Sequence, residues 1–274
     1  NIPYCICWAN ENWTNAWKAD GNVKTLIQQT YGKREDWIKH FEYLLQFFKD
    51  KNYILEDNRP FMVIYRPEII PCLAEMLVCW DDLARENGFD GMVFAYQQLS
   101  YHLLADKNEG LFKYNIEYQP GYARYDLQNE QNNQYKRNAF WFRNKVRKIV
   151  SIIDKTFKCN ISSHLVRNSL QFEDYDQLCQ KIISKGPDSD KAIPGMFVGW
   201  DNTPRRGKKG RVCTGRTPEK FAKYMKEQVD NARKNYKKDM LFVFAWNEWA
   251  EGGFLEPDEE NGYAYLEGIK SSIQ

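Results

Sequence analysis

The sequence predicts an α/β protein of the (β/α)8-barrel class, and three observations support that prediction. Short apolar runs alternate with longer amphipathic stretches along the 274 residues, which is the pattern of parallel strands joined by helices. The apolar runs end in polar residues, as barrel strands do at the face that carries the active site. No glycine-rich turn follows an early strand, so the rival doubly wound sheet lacks its phosphate-binding signature.

Six apolar runs are the strand candidates. They are rich in Val, Ile and Phe, which favour the pleated surface of a sheet. The candidates are 4–9, 61–66, 91–96, 115–119 (the weakest), 196–200 and 241–246. Because eight strands close a barrel, six predict that two βα units lie upstream of Asn1. The opening residue, which is not Met, fits this expectation of a fragment that forms a single barrel domain over 1–274.

Five amphipathic stretches with apolar residues at helical spacing are the helix candidates. Pro71 can begin the second of them, and Gly88 can follow it as a C-terminal cap. Thr217 is predicted to cap the fourth, ahead of Pro218. The candidates are 34–49, 71–87, 137–156, 217–233 and 263–273. The segment 185–194 between them is expected to be an ordinary connector.

Composition excludes several classes of function. The net charge of +2 gives no global electrostatic basis for a nucleic-acid partner. No apolar run has the length of a membrane span and no signal peptide is visible. We expect a cytoplasmic protein, with work at the inner face of the membrane left open. The oligomeric state is also left open.

The cysteines and histidines do not form a recognisable metal site. The seven Cys are odd in number and mostly lie in apolar runs, as buried reduced thiols of cytoplasmic proteins do. No Cys-x-x-Cys pair occurs, and His40, His102 and His164 are scattered, so no zinc site is predicted. We expect neither a metal nor an organic cofactor.

The last strand candidate ends in a cluster of carboxylates, an amide and indoles, formed by Trp246, Asn247, Glu248, Trp249 and Glu251. Glycosidic-bond chemistry needs paired carboxyl groups, while indole rings pack against the C–H faces of sugars and amides bind their hydroxyls. Two neighbouring carboxylates also tend to separate their pKa values. The structural alternative is that the two carboxylates cap or bridge the loop at the end of the strand. We predict a carbohydrate site in which Glu248 and Glu251 are catalytic.

The first strand candidate also has a polar exit. Asn10, Glu11, Asn12 and Trp13 follow it, at the face where a barrel binds its substrate. Asn is a good helix or turn cap, so capping is the alternative. We expect all four residues to bind substrate.

The polar ends of two further strand candidates could either bind substrate or have a structural role. Tyr65 and Arg66 end the second strand candidate, where the arginine could bind substrate or bridge structural carboxylates. Trp200 and Asp201 end the fifth, as a sugar platform with a hydroxyl acceptor or as a tight turn. We include all four among the substrate-binding candidates.

A basic loop follows the fifth strand candidate. It reads Arg-Arg-Gly-Lys-Lys-Gly-Arg from Arg205 to Arg211, with Arg216 nearby. A solvated loop is the common outcome for such a run. The functional alternative is that the loop binds a phosphate or an acidic sugar, such as that of a lipid-linked glycan or a nucleotide-sugar. Arg205 is the best candidate because it lies closest to the Trp-Asp motif.

Three motifs carry a resemblance to a known family. They are Cys-Ile-Cys-Trp-Ala-Asn-Glu-Asn-Trp-Thr from Cys5, Gly-Trp-Asp-Asn-Thr-Pro-Arg-Arg from Gly199, and Ala-Trp-Asn-Glu-Trp-Ala-Glu-Gly from Ala245, the last followed by Leu255-Glu-Pro. In this order they resemble the WbsX-like proteins, which occur with bacterial surface-polysaccharide (O-antigen, lipopolysaccharide and capsule) genes. That family is labelled glycosyltransferase and is similar to the endo-mannosidases of glycoside hydrolase family 99.

The resemblance implies a (β/α)8 barrel that acts on oligo- or polysaccharide. By analogy with family 99, Glu251 is implied as the general acid/base. Glu248 is implied as the base that helps a mannose 2-hydroxyl attack its own anomeric carbon, a substrate-assisted route with retention. Hydrolysis and sugar transfer both remain open, as does a non-catalytic barrel that binds glycan in an assembly complex.

Overall fold

The structure is a computed structural model that describes residues 2–15, 24–98, 108, 110–130 and 170–274, without the side chains of 128–130. The helix candidate 137–156 therefore lies outside the described residues, as do Cys159, His102 and His164.

The described chain alternates strands and helices. In chain order the strands are β1 (Ile6–Trp8), β2 (Trp13–Thr14), β3 (Thr25–Ile27), β4 (Leu55–Glu56), β5 (Arg59–Ile64), β6 (Val93–Gln98), β7 (Tyr114–Glu117), β8 (Gln171–Asp174), β9 (Ala192–Ile193), β10 (Gly195–Phe197), β11 (Arg211–Thr214), β12 (Phe242–Phe244), β13 (Asn247–Glu248) and β14 (Gly253–Phe254). The helices are α1 (Arg34–Phe48), α2 (Leu73–Glu86), α3 (Gly121–Glu130), α4 (Tyr175–Ser184), α5 (Thr203–Arg206), α6 (Pro218–Asn231) and α7 (Ala264–Ile273).

The main sheet is parallel and its strands lie side by side in chain order. β1, β5, β6, β7 and β9 are successive neighbours. β10 follows β9 after Pro194 and pairs in parallel with β12. All six predicted strands are confirmed, and with them the α/β class. Within the described residues β1 pairs with β5 and β12 with β10, in an open arc, so closure by eight strands stays a prediction.

Strand alternation builds two apolar layers. Phe61 and Val63 of β5 face the inner side of the arc with Val93 and Ile193. Met62 and Ile64 of β5 face the other way, where they pack with residues of α1 and α2. Successive side chains of a strand point to opposite faces of the sheet. Along β5, β6 and β7, every second residue therefore points toward the inner side, and the residues between point toward the helices; we call this alternation the parity of a residue.

The four helix predictions that fall on the described residues are confirmed, with one local correction. α2 begins at Leu73 with Cys72 as its N-cap, so Pro71 precedes the helix instead of opening it. Gly88 follows its C-cap with φ +91°, a conformation that favours glycine. The Thr217 hydroxyl accepts from the Lys220 N–H, as predicted for α6. α3 and α4 were not anticipated, and α3 has a mixed sequence with no clear apolar stripe.

The expectation that 185–194 is an ordinary connector is wrong. Ala192 and Ile193 form β9, which pairs with Asn115 and Ile116 of β7. The strand is only two residues long and is interrupted by Pro194, so its periodicity is too short to detect in sequence. This short strand joins the β1-to-β7 part of the sheet to the β10–β12 pair.

Two further sequence expectations can be compared with the described residues. The six described cysteines are free; Cys79, Cys179 and Cys213 are buried, whereas Cys7 is exposed. No helix in the described ranges combines the length and apolar character that a bilayer span requires.

Gly195 permits the close approach of β10 to β7, and its replacement tests this junction. A Cβ at Gly195 would lie 2.0 Å from the Glu117 carbonyl oxygen. We expect Gly195→Ala to lower the free energy of unfolding by about 1–3 kcal/mol, the usual cost of overpacking. Gly186→Ala is the matched control, because its Cβ would meet no atom within 4 Å. Urea denaturation measures both variants, and equal stabilities would contradict the close-approach argument.

Candidate active site

The candidate carboxylates lie on a hairpin that follows β12. β13 and β14 pair antiparallel, and a 3₁₀ turn at Trp249–Glu251 joins them. Gly252 closes the turn at φ +63°, where a Cβ would lie 2.8 Å from the Asp201 nitrogen. The hairpin is therefore fixed both by its own pairing and by the loop that follows β10.

One guanidinium joins the two candidate catalytic residues. Arg205 Nη2 lies 3.1 Å from Glu248 Oε1, and Arg205 Nη1 lies 3.3 Å from Glu251 Oε1. The backbone supports the same arrangement, because the Asp201 N–H donates to the Glu251 carbonyl at 2.7 Å. The basic loop thus contributes one cation directly to the carboxylate pair.

Burial raises the pKa of Glu251 above its ordinary value of 4.5. The Arg205 charge opposes this rise in the pKa of Glu251, and the neighbouring Glu248 charge adds to it. A carboxyl group with a raised pKa keeps its proton closer to neutrality, as a general acid must.

Two tyrosines lie within the field of these carboxylates. Burial, together with the charges of Glu251 and Glu248, raises the pKa of Tyr118 far above its usual range. Burial, then the charges of Glu11 and Glu251, raises the pKa of Tyr65. Tyr65, a predicted site residue, is therefore close to both the first and the last polar strand exits.

Sequence reasoning missed Tyr118 and gave Gln97 no role. Gln97 follows Val93 and Ala95, and Tyr118 follows Ile116, at the inward parity of their strands. The alternation could have identified both residues. The Gln97 Oε1 atom is buried and makes no hydrogen bond to the described residues, a situation that usually indicates a water or ligand partner.

Glu117 is a buried carboxylate at the end of β7, and it faces the helices. Burial raises its pKa to about 7, and its Oε2 atom accepts from the Tyr236 hydroxyl at 3.0 Å. Its parity is opposite to that of Ile116 on the inner side. Glu117 therefore does not join Glu248 and Glu251.

Arg66 bridges carboxylates, as its structural alternative required. It pairs with Glu11 at 2.5 Å and with Glu68 at 2.6 Å. Asn10 is 0% exposed, and its amide both donates to the Arg66 carbonyl and accepts from the Arg66 N–H, at 2.7 and 2.8 Å. In this structure Asn10 joins the exits of β1 and β5, and its side-chain amide is not free for a sugar hydroxyl.

The rest of the first exit is more open. Asn12 Oδ1 accepts from the Gln29 N–H at 2.7 Å, so this amide holds the segment after β3. Trp13 is 63% exposed and pairs through its backbone with Ile27. Of these two predicted substrate ligands, Trp13 alone presents a large accessible surface.

In the Trp200-Asp201 motif, Asp201 forms the tight turn, and the buried Trp200 Nε1 atom makes no hydrogen bond to the described residues. Asp201 Oδ1 accepts from the N–H and the hydroxyl of Thr203, at 2.9 and 2.7 Å. The Trp200 ring packs against Arg124 at 4.5 Å and against Phe244 at 5.3 Å. Both predicted substrate ligands therefore make structural contacts here.

The indoles of the last exit are accessible. Trp246 is 53% exposed and Trp249 is 48% exposed. The Trp249 Nε1–H donates to Glu256 at 2.6 Å, and its ring stacks on Phe254 at 3.8 Å. Asn247 is also exposed. Two indoles and an amide next to Glu248 in the chain are thus accessible, and their role as substrate ligands stays a prediction.

The basic loop divides into paired and unpaired cations. Arg211 pairs with Glu173 at 3.0 Å, and Arg216 donates to the Gly252 carbonyl at 3.0 Å. Arg206, Lys208 and Lys209 are exposed and make no ion pair with the described residues. Within the part of the chain that the structure describes, no group of three or more His, Cys, Asp or Glu side chains could hold a metal ion.

Comparison with known proteins finds one family that matches nearly the whole chain. The family described as Glycosyltransferase WbsX matches residues 1–269. The uncharacterized protein WxcX of Xanthomonas campestris pv. campestris, in strains B100 and ATCC 33913, is 26% identical over 276 aligned positions. That alignment covers 99% of this chain, and the chain spans 35% of the length of these relatives.

Two solved structures are similar to the chain. One is the GH99 endo-alpha-mannosidase from Bacteroides thetaiotaomicron, with a TM-score of 0.47 and 14% identity over 89% of this chain and 62% of that chain. The other is a glycoside hydrolase-like protein, with a TM-score of 0.48 and 11% identity over 87% of this chain and 61% of that chain.

Removal of the Arg205 charge tests the electrostatics of the pair. Because Arg205 lowers the pKa of Glu251, we expect Arg205→Gln to raise that pKa further. When the folded-state pKa of a group lies above its unfolded-state pKa, the free energy of unfolding falls as the pH rises through the folded-state pKa. Relative to the unsubstituted protein, Arg205→Gln should therefore lose more stability at a pH above the pKa of Glu251 than at a pH below it.

The pKa of Glu251 is measured by ¹³C NMR titration of labelled carboxyl groups, and the pH dependence of stability by urea denaturation. Arg206→Gln is the control, and it should raise the pKa of Glu251 less because Arg206 is the weaker of the two influences. An unchanged or lowered pKa in Arg205→Gln would contradict the geometry.

Proposed function

The chain belongs to the WbsX glycosyltransferase family, whose members are carbohydrate-active enzymes, and we propose that its Glu248–Glu251 pair makes or breaks glycosidic bonds in a bacterial cell-surface polysaccharide. The observation that carries the proposal is the guanidinium of Arg205, which binds both carboxylates. Accessible indoles of Trp246 and Trp249 flank the pair. Paired carboxyl groups beside exposed aromatic rings are typical of enzymes that act on glycosidic bonds.

The proposed first step is retaining and assisted by the substrate. Glu248 takes the proton of the sugar 2-hydroxyl, and O2 attacks the anomeric carbon. The bond from that carbon to the leaving oxygen breaks as Glu251 gives this oxygen its proton. The product is a 1,2-anhydro sugar, and the route needs no enzyme nucleophile.

The second step reverses the proton movements. Glu251, now ionised, takes a proton from water or from an acceptor hydroxyl, whose oxygen attacks the anomeric carbon. The C1–O2 bond opens and Glu248 returns its proton to O2. Water gives hydrolysis and a sugar hydroxyl gives transfer, so the same two carboxylates serve both directions.

The acid is assigned to Glu251 because burial and Glu248 raise its pKa. Trp13, Trp246 and Trp249 are proposed as sugar platforms, with Asn247 and Tyr65 as hydroxyl ligands. Six other predicted ligands are proposed to hold the polar strand ends in position, here called the mouth, because most of their polar groups already bind protein. They are Asn10, Glu11, Asn12, Arg66, Trp200 and Asp201.

A second candidate function is transfer from a phosphate-activated donor. The observation that favours it is the exposed trio Arg206, Lys208 and Lys209, which follows directly on Arg205. Cations without ion-pair partners suit the diphosphate of a nucleotide-sugar or a lipid-linked sugar. Here the oxygen of an acceptor hydroxyl would attack C1 of the donor while a carboxylate takes the hydroxyl proton. The C1–O(phosphate) bond would break, and the phosphate would leave with that electron pair. A third candidate is a barrel that binds glycan without reacting it.

Carboxylate variants of the intact protein distinguish these functions. We expect Glu251→Gln and Glu248→Gln each to lower turnover by roughly 10²–10⁴-fold, the usual contribution of a positioned acid or base. Glu259→Gln neutralises an exposed carboxylate that lies eleven residues after Glu248 and eight residues after Glu251 in the chain, and it should retain activity. The assay follows new reducing ends by mass spectrometry on α-mannosides and on the surface polysaccharide of the source bacterium.

The outcomes separate the candidates. Reducing ends that vanish in Glu251→Gln support glycosidic cleavage by this pair. No release from any substrate, with nucleotide-sugar binding that depends on Arg206, Lys208 and Lys209, would favour the phosphate-activated donor. Glycan binding with no reaction of either kind, unchanged in both glutamine variants, would favour the non-catalytic barrel.

The 2-hydroxyl provides a separate test of the mechanism. Without that hydroxyl the 1,2-anhydro sugar cannot form, so we expect 2-deoxy mannosides to be bound but not cleaved under conditions where the parent mannosides react. Kinetics with matched 2-deoxy and 2-hydroxy substrates measure the difference. Comparable turnover of the two, or a covalent glycosyl-enzyme seen by mass spectrometry, would replace this route with a carboxylate nucleophile.

A further inference from the structure

A cavity lies on the helix side of β1, and neither Glu248 nor Glu251 lines it. Its volume is about 430 Å³, within the roughly 300–1,000 Å³ of small-molecule sites. It is lined by β1, the segment after β3, α1 and α2. Its principal lining side chains are Trp8, Gln29, Tyr31, Asp36, Trp37 and His40.

The aromatic walls of this cavity, here called the Trp8 pocket, hold one another in place. The Trp37 Nε1–H donates to the Tyr31 carbonyl at 2.6 Å. The rings of Trp8 and His40 meet edge to face at 4.9 Å, and His40 meets Trp80 in the same way at 5.0 Å. The pocket is therefore built from packed side chains and not from loose surface groups.

The polar lining of the pocket is mostly uncharged. His40 makes no hydrogen bond to the described residues, and burial lowers its pKa. A neutral imidazole offers one donor and one acceptor, which suits a hydroxyl group. Neither Lys nor Arg lines the pocket, and the one carboxylate, Asp36, already accepts from the Lys33 N–H at 3.0 Å.

We propose that the Trp8 pocket binds one neutral pyranose unit of a glycan. Aromatic rings would pack against the C–H face of the sugar while His40 and Gln29 meet its hydroxyls, a combination that fits a pyranose better than an anion or a purely apolar ligand. The choice of a sugar as ligand rests on the proposed function, whereas the cavity and its lining do not.

The pocket is connected to the mouth of the arc. The Tyr31 hydroxyl donates to the Asn10 carbonyl at 2.8 Å, and the Asn10 amide binds the backbone of Arg66. A sugar held beside Tyr31 would therefore contact a side chain that is hydrogen-bonded to the end of β1. The site adds a point of recognition outside the catalytic pair.

The test measures binding of single sugars to the intact protein that carries Glu251→Gln, so that turnover plays no part. The probes are the methyl pyranosides of mannose, glucose, galactose, rhamnose and fucose, with N-acetylglucosamine and tetramethylammonium beside them. NMR follows the indole N–H of Trp37, which lines the pocket. We expect at least one sugar to shift this resonance saturably, while tetramethylammonium does not.

Two variants and a control assign the binding to the pocket. His40→Phe keeps an aromatic ring against Trp8 and Trp80 but removes both nitrogens, and we expect it to weaken the responding sugar at least tenfold. Thr30→Trp, at an exposed lining position, should block the pocket without disturbing the core. Tyr43→Phe, on the exposed side of α1, should change nothing.

The proposal is overturned if no sugar of the panel shifts the Trp37 resonance, or if His40→Phe and Thr30→Trp both bind sugars as the unsubstituted pocket does. A response to tetramethylammonium alone would make the pocket an aromatic cage for cations. Because the readout is binding in a Glu251→Gln background, failure here leaves the proposed function untouched, and loss of catalysis elsewhere leaves this result interpretable.

Discussion

The ion pairs of Arg205 with Glu248 and Glu251 are the interaction on which the candidate site depends. Two carboxylates on one short hairpin repel each other, and partial burial adds to the cost of their charges. A single guanidinium has donors on both sides of a planar fork and can bind both groups at once. The loop after β10 is therefore tied to the hairpin after β12, and the site exists only where the two segments meet.

A second arginine repeats this solution at the other end of the arc. Arg66 binds Glu11 and Glu68, while Asn10 fixes the Arg66 backbone. Burial and the charges of Glu11 and Glu251 raise the pKa of Tyr65, so this side chain feels a carboxylate of each cluster. Four carboxylates and two guanidiniums leave the mouth anionic. A neutral sugar fits such a mouth, and Arg206, Lys208 and Lys209 of the basic loop lie outside these ion pairs.

The aromatic residues divide into two groups with different tasks. Trp80 is fully buried and Trp200 packs against Arg124 and Phe244, so each contributes to the core or to the wall of the arc. Trp13, Trp246 and Trp249 instead keep large accessible surfaces. Exposure of a large indole costs hydrophobic stabilisation, so its retention beside carboxylates is most simply explained by a ligand.

The sequence by itself determined the parallel α/β class, the six main strands and the carboxylate pair, because alternation, helical stripes and strand exits are local patterns. It did not reveal β9, which is too short for periodicity, nor α3, which has no apolar stripe. Only the tertiary structure decided that Asn10 binds the backbone of Arg66 and that Arg205 joins Glu248 to Glu251. Those partners lie up to 56 residues apart in the chain, so contact between them is a property of the folded sheet and cannot be derived from local sequence.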